Sequence, residues 1–159
     1  MKKDTLNIPF FIIFPEKFIK EHKDLFDNIK KNETVLASNI DIIPTIMTIL
    51  NLEEKNSEIV NLLDGKSLFK DIKDRIVIMS NNTEFRRQDI ELFAIYCDKN
   101  SFTFSTQEKE AFYDLEKDPL QKNNIWDEIS NDKKEKIFDI IKNNKRLQEI
   151  YNEGKKIEN

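Results

Sequence analysis

The chain holds one thiol, Cys97, and one imidazole, His22, in 159 residues. A disulfide within the chain is therefore impossible, and so is a zinc site of the usual Cys/His make-up. A Cys–His dyad needs both groups in one cleft. Cys97 falls in a predicted strand and His22 in a polar, lysine-rich segment, so no dyad is expected. Carboxylates are plentiful, with 30 Asp and Glu, so chance pairs are unavoidable. Glu53-Glu54 and Glu108/Glu110 read as solvated surface. Asp114, Glu116 and Asp118 alternate near a turn, but they lack the loop spacing of a calcium site and read as turn residues. Arg86-Arg87 could meet an anion; an exposed loop pair is the plainer reading. With only two glycines, Gly65 and Gly154, no phosphate-cradling loop exists. No serine sits in a nucleophile elbow and no second histidine completes a metal pair. The residue types thus give no catalytic, metal-ligating or cofactor-binding residue.

Composition narrows the classes further. Net charge is −4, and 26 basic residues are interspersed with the acidic ones without a long single-sign block. Nucleic acid is not expected as a partner. The aromatic residues of 93–113 read as sheet core, because basic residues do not interleave with them as a base-stacking surface requires. At the start, Lys2 and Lys3 precede an apolar run. Asp4, Pro9 and Pro15-Glu16-Lys17 break the pattern of a secretory signal. No run approaches the ~18 apolar residues of a membrane span, so no membrane contact by this segment is expected. The compartment is left open.

The elements that would position any site follow from periodicity. Ile8–Phe14, apolar and bounded by prolines, suits a strand buried on both faces, as in a parallel sheet. Residues 16–34 form a charged, partly helical excursion with Phe18, Leu25, Phe26 and Ile29 at helical spacing. In "VLASNIDIIPTIMTILNL" (35–52), Ser38 and Asp41 have capping-box spacing. Asp41 as N-cap is the preferred register, with Pro44 in the first turn. The helix over 42–51 is apolar nearly all round and should be deeply buried. Asp64-Gly65 is a turn, with Gly65 able to take positive φ. "RIVIMS" (75–80), "IELFAIYCD" (90–98), "FTFST" (102–106) and 111–115 read as an antiparallel meander, with Phe102 and Phe104 on one face. A helix from about Ser130 to Glu153 carries the stripe Ile137, Ile141, Leu147, Ile150 and Tyr151, with Asn131 or Ser130 as its cap.

Four of these segments, in this order, resemble the sulfatases of the alkaline-phosphatase-like superfamily. That group also includes lipoteichoic-acid-synthase-like and phosphoethanolamine-transferase-like enzymes. "NIPFFIIFP" (7–15) is similar to their apolar strand between prolines. "SNIDIIPTIMTILNL" (38–52) resembles their S-x-x-D-[IL]-x-P-T helix, and "LDGKSLF" (63–69) the D-G-x-S-L turn after it. "AFYDLEKDPLQKNNI" (111–125) is similar to their Y-D-L-x-x-D-P ending. The likeness covers roughly residues 7–126. Asn51 departs from it where the family often has Gly, Gln121 where Glu is common, and 16–34 is longer and more charged.

The resemblance implies an α/β to α+β, partial alkaline-phosphatase-like fold. Residues 1–74 would be the C-terminal end of the α/β core, with a strand over 8–14 and a helix over 42–51. Residues 75–126 would be an antiparallel subdomain, and 127–159 a terminal helix and tail. In the family, a formylglycine, Ser or Thr nucleophile and a divalent cation (Ca, or Mg, Mn or Zn) act on sulfate or phosphate esters. Those groups belong to segments upstream of the one that matches Ile8–Pro15. The expectation is a scaffold portion of such an enzyme, inactive alone, with the missing N-terminal catalytic half as implied partner. The alternative is a stand-alone interaction module, or one half of a split enzyme.

Overall fold

A computed structural model describes residues 10–82, 91–106 and 109–157. These mix helix and strand, with six α-helices and one four-stranded antiparallel sheet among the described residues. The chain divides into two compact units, Pro9–Val77 and one that includes Ile78–Asn159.

The first unit is helical. α1 (Glu16–Glu21) and α2 (Lys23–Lys31) break at His22, whose φ of −128° and ψ of 49° leave the helical region. Their apolar side holds Phe18 and Phe26 against Phe14, with centroids 5.2 and 5.7 Å apart, and Phe14 lies 6.0 Å from Phe69. Alternating offset and edge-on rings of this kind form a small aromatic core. α3 (Ile42–Ile49) follows a 3₁₀ turn, and the short α4 (Ser57–Val60) lies in the connection.

Two expectations are corrected here. Of the expected strand Ile8–Phe14, residues 8 and 9 lie outside the described residues. The remainder has no place in the sheet, and Phe11 and Ile13 are 83% and 92% exposed. An apolar run supplies side chains for two-sided burial, but a strand also needs a neighbour's N–H and C=O groups. α3 is not deeply buried. Pro44, Thr45 and Met47 are covered, whereas Ile42, Ile43, Ile46, Ile49 and Leu50 are exposed. As expected, Asp41 is the N-cap residue of α3, with Pro44 in the first turn; it is itself helical, with φ −78° and ψ −13°, because the 3₁₀ turn Asn39–Asp41, capped at Ser38, runs directly into α3. The helix ends in a Schellman arrangement, Leu52 N–H to Met47 O (2.9 Å) and Asn51 N–H to Thr48 O (3.2 Å). Asn51 takes the left-handed φ of 51° that this ending requires.

The meander runs in the order β1 (Ile76–Asn82), β2 (Glu91–Cys97), β3 (Asn100–Ser105) and β4 (Ala111–Asp114), and from Ile78 onward it belongs to the second unit. Phe93 pairs with Phe104, Ile95 with Phe102, and Phe102 with Phe112, which puts five apolar side chains on one face. α5 (Asn131–Lys142) and α6 (Lys145–Ile157) cover that face with Ile137, Ile141, Leu147 and Ile150. The expected single helix over 130–153 is thus two. Asn143 caps the first, and Asn144 Oδ1 accepts the Leu147 N–H at 3.1 Å to start the second. Ser130 is the N-cap of α5.

The 112–125 ending is built from side-chain acceptors. Asp114 Oδ1 takes the N–H groups of Glu116 (3.0 Å) and Lys117 (3.2 Å). Asp118 Oδ2 takes those of Lys122 (2.7 Å) and Asn123 (2.8 Å). Gln121, at φ 53°, reaches back to donate to Ser101 Oγ at 2.7 Å. Asn124 Oδ1 accepts from Phe112 N and Trp126 N, both at 3.0 Å, while its Nδ2 donates to Glu110 O at 3.0 Å. Asn124→Ala removes all three bonds, and a loss of about 2–3 kcal/mol is expected in urea unfolding, near 1 kcal/mol per bond. Asn124→Asp keeps the acceptors and should fall between the two.

Candidate functional site

The densest polar cluster of the first unit centres on Asp41, which is fully buried. The 3₁₀ turn Asn39–Asp41 delivers its carboxylate inward. Asp41 Oδ2 accepts the Ser38 N–H at 2.8 Å. Oδ1 accepts the Lys66 N–H at 2.7 Å and the guanidinium of Arg75 at 2.5 Å. Arg75 is itself buried. One carboxylate thus ties together the start of α3, the 64–70 turn and the approach to β1, which are 25 and 34 residues apart in sequence from it.

The rest of the α3 polar face extends this tie. Thr45 Oγ1 donates to Asp41 O at 2.6 Å and accepts the Leu68 N–H at 3.0 Å. One turn later, Thr48 Oγ1 lies 2.7 Å from Ser67 Oγ and 2.8 Å from Glu53 Oε1. Glu53 also pairs with Lys70 at 2.8 Å. That ammonium holds the Glu53 carboxyl below its ordinary range, with the Thr48 hydroxyl helping against partial burial. Asn32 Nδ2 clamps the far end of the turn through Leu68 O (2.8 Å) and Lys70 O (2.7 Å).

Gly65 does not use positive φ, contrary to expectation. Its role is steric: a Cβ there would lie 2.0 Å from Ile40 O and 2.6 Å from Ile40 C. The turn must press its backbone against the residue before Asp41 for Lys66 N–H to reach the carboxylate, and only glycine leaves room.

A second cluster lies in the other unit. Glu110 is 9% exposed, and its Oε1 meets Tyr151 Oη and Lys155 Nζ, each at 2.6 Å. Burial alone would raise its carboxyl. The Lys155 ammonium, the Tyr151 hydroxyl and its own backbone N–H outweigh burial and hold it below the ordinary glutamate value. Arg146 of α6 adds an ion pair to Glu91 at the start of β2.

The candidates singled out from sequence are dispersed. His22 lies between α1 and α2 in the first unit, its ring tilted against Phe18 at 4.8 Å, while half-buried Cys97 ends β2 in the second. Arg86, Arg87 and Glu108 lie outside the described residues. Glu53 and Glu110 are corrected from solvated surface to members of the two clusters, because each has a lysine on a separate element within 2.8 Å. Asp114 and Asp118 spend carboxylate oxygens on backbone N–H groups, and Glu116 is paired with Lys99. That donor set does not fit a cation. Among the described residues, no group of three or more His, Cys, Asp or Glu side chains could hold one. Nor is any described helix long and apolar enough to cross a membrane.

The Asp41–Arg75 pair was not apparent in the sequence. Its one signal is that Arg75 is among only four arginines in a lysine-rich chain, and a rigid guanidinium fork suits a buried carboxylate better than an ammonium. No protein-family model matches the chain, and no curated protein does.

Four outcomes follow. Asp41→Asn leaves the Arg75 charge buried without its partner and should cost about 3–5 kcal/mol in denaturant unfolding. Adding Arg75→Met to it should recover part of that loss; strict additivity would mean that the pair is not coupled. Gly65→Ala should destabilise by about 3 kcal/mol or more, since backbone rather than a side chain would have to move. Glu110 has a folded-state pKa below its unfolded value of about 4.3. Its contribution is therefore present above that value and lost as pH falls through the folded one. Glu110→Gln should flatten the fall of unfolding free energy below about pH 4.3, measured by urea titrations at stepped pH.

Proposed function

We propose that this chain is the C-terminal scaffold portion of a sulfatase-like, alkaline-phosphatase-like hydrolase or transferase of sulfate or phosphate esters, and that it is inactive alone. On this reading the nucleophile and its divalent cation (Ca, Mg, Mn or Zn) belong to an N-terminal catalytic half. This chain supplies the end of the core and the closing antiparallel subdomain.

One observation carries the reading. The positions that bear the sulfatase resemblance in 38–52 and 63–69 are the positions with a physical task at the Asp41 tie. Ser38, Asp41 and Thr45 make its hydrogen bonds, Gly65 makes its close approach, and Ser67 meets Thr48 one turn on. On this reading those residue types stand at these positions because each has a task at the tie. Asn51 adds support, because the family's Gly position is here left-handed, at φ 51°. Asp114, Asp118 and Asn124 of the Y-D-L-x-x-D-P ending are likewise spent on its turn.

The incompleteness rests on α3. Its polar side is anchored and its isoleucines face outward, with Ile43 at 53% and Leu50 at 59% exposure. On this reading the face is where a further apolar layer would pack. The same surface supports a second reading, that of a stand-alone interaction module or one half of a split enzyme.

Purified chain should show no turnover of aryl sulfates or aryl phosphates with Ca²⁺, Mg²⁺, Mn²⁺ or Zn²⁺ present. Metal-dependent hydrolysis abolished by Cys97→Ser or His22→Ala would overturn the proposal. Ile43→Lys should leave unfolding free energy within about 0.5 kcal/mol while lowering apolar-dye binding, as expected of an uncovered surface. Met47→Ala, on the buried side, should cost about 2–3 kcal/mol.

A further inference from the structure

We draw no further inference here: the strongest candidate, the uncovered apolar face of α3 with the exposed Phe11 and Ile13 before α1, supports the reading above, and nothing in the structure shows what covers it.

Discussion

The first unit depends on one desolvated carboxylate. Asp41 has no water to turn to, so its charge must be met by protein groups. Three groups meet it: one local amide, one amide from a distant turn and one guanidinium. Each comes from a different stretch of backbone, and removing any one leaves the other two to neutralise a charge they cannot fully satisfy. The geometry is over-determined. The same tie holds the 64–70 turn, whose Leu68 and Phe69 are buried, close against Ile40, and that is why its residue 65 has no side chain.

This constraint also sets the direction in which α3 faces. Thr45 and Thr48 must lie on the Asp41 side to bond with 67–68, and with 3.6 residues per turn Ile42, Ile43, Ile46 and Ile49 are left facing outward. A helix of mean composition would bury its isoleucines and expose its threonines. Here hydrogen bonding within the unit outranks hydrophobic burial within the unit, and the apolar residues keep a surface of their own. The second unit packs the phenylalanines of β2 to β4 beneath the two terminal helices, with Ser101, Thr103 and Ser105 of β3 buried among the strands.

Legibility in the sequence followed the range of the interactions. The strands of the meander were readable because period-two alternation and the intervening turns are local. So was the structural role of 112–125, since Asp114, Asp118 and Asn124 act within a few residues of themselves or on the neighbouring strand end. The stripe from Ile137 to Ile150 was readable too, although Asn143-Asn144 divides it. The orientation of α3 was not, because hydrophobic content does not report which face is tethered. Nor could spacing reveal Arg75 or Lys155, whose partners are brought near only by the fold. The apolar run before Pro15 was read as a strand from its side chains alone, and pairing is a property of two segments. Gly65 was assigned to the right turn for the wrong reason: its neighbour is a backbone carbonyl 25 residues away, which no local rule reaches.

Gly154 gives α6 a fixed seat. A Cβ there would come within 2.5 Å of the Phe104 ring and 3.1 Å of Ser105 O, so the helix backbone touches the sheet at a single notch. Sliding α6 along its axis by one turn, about 5.4 Å, would bring Ile150 or Tyr151 into that notch. The terminal helix is indexed to the sheet like a key with one cut, and its longitudinal position is set by the one place where a side chain is missing.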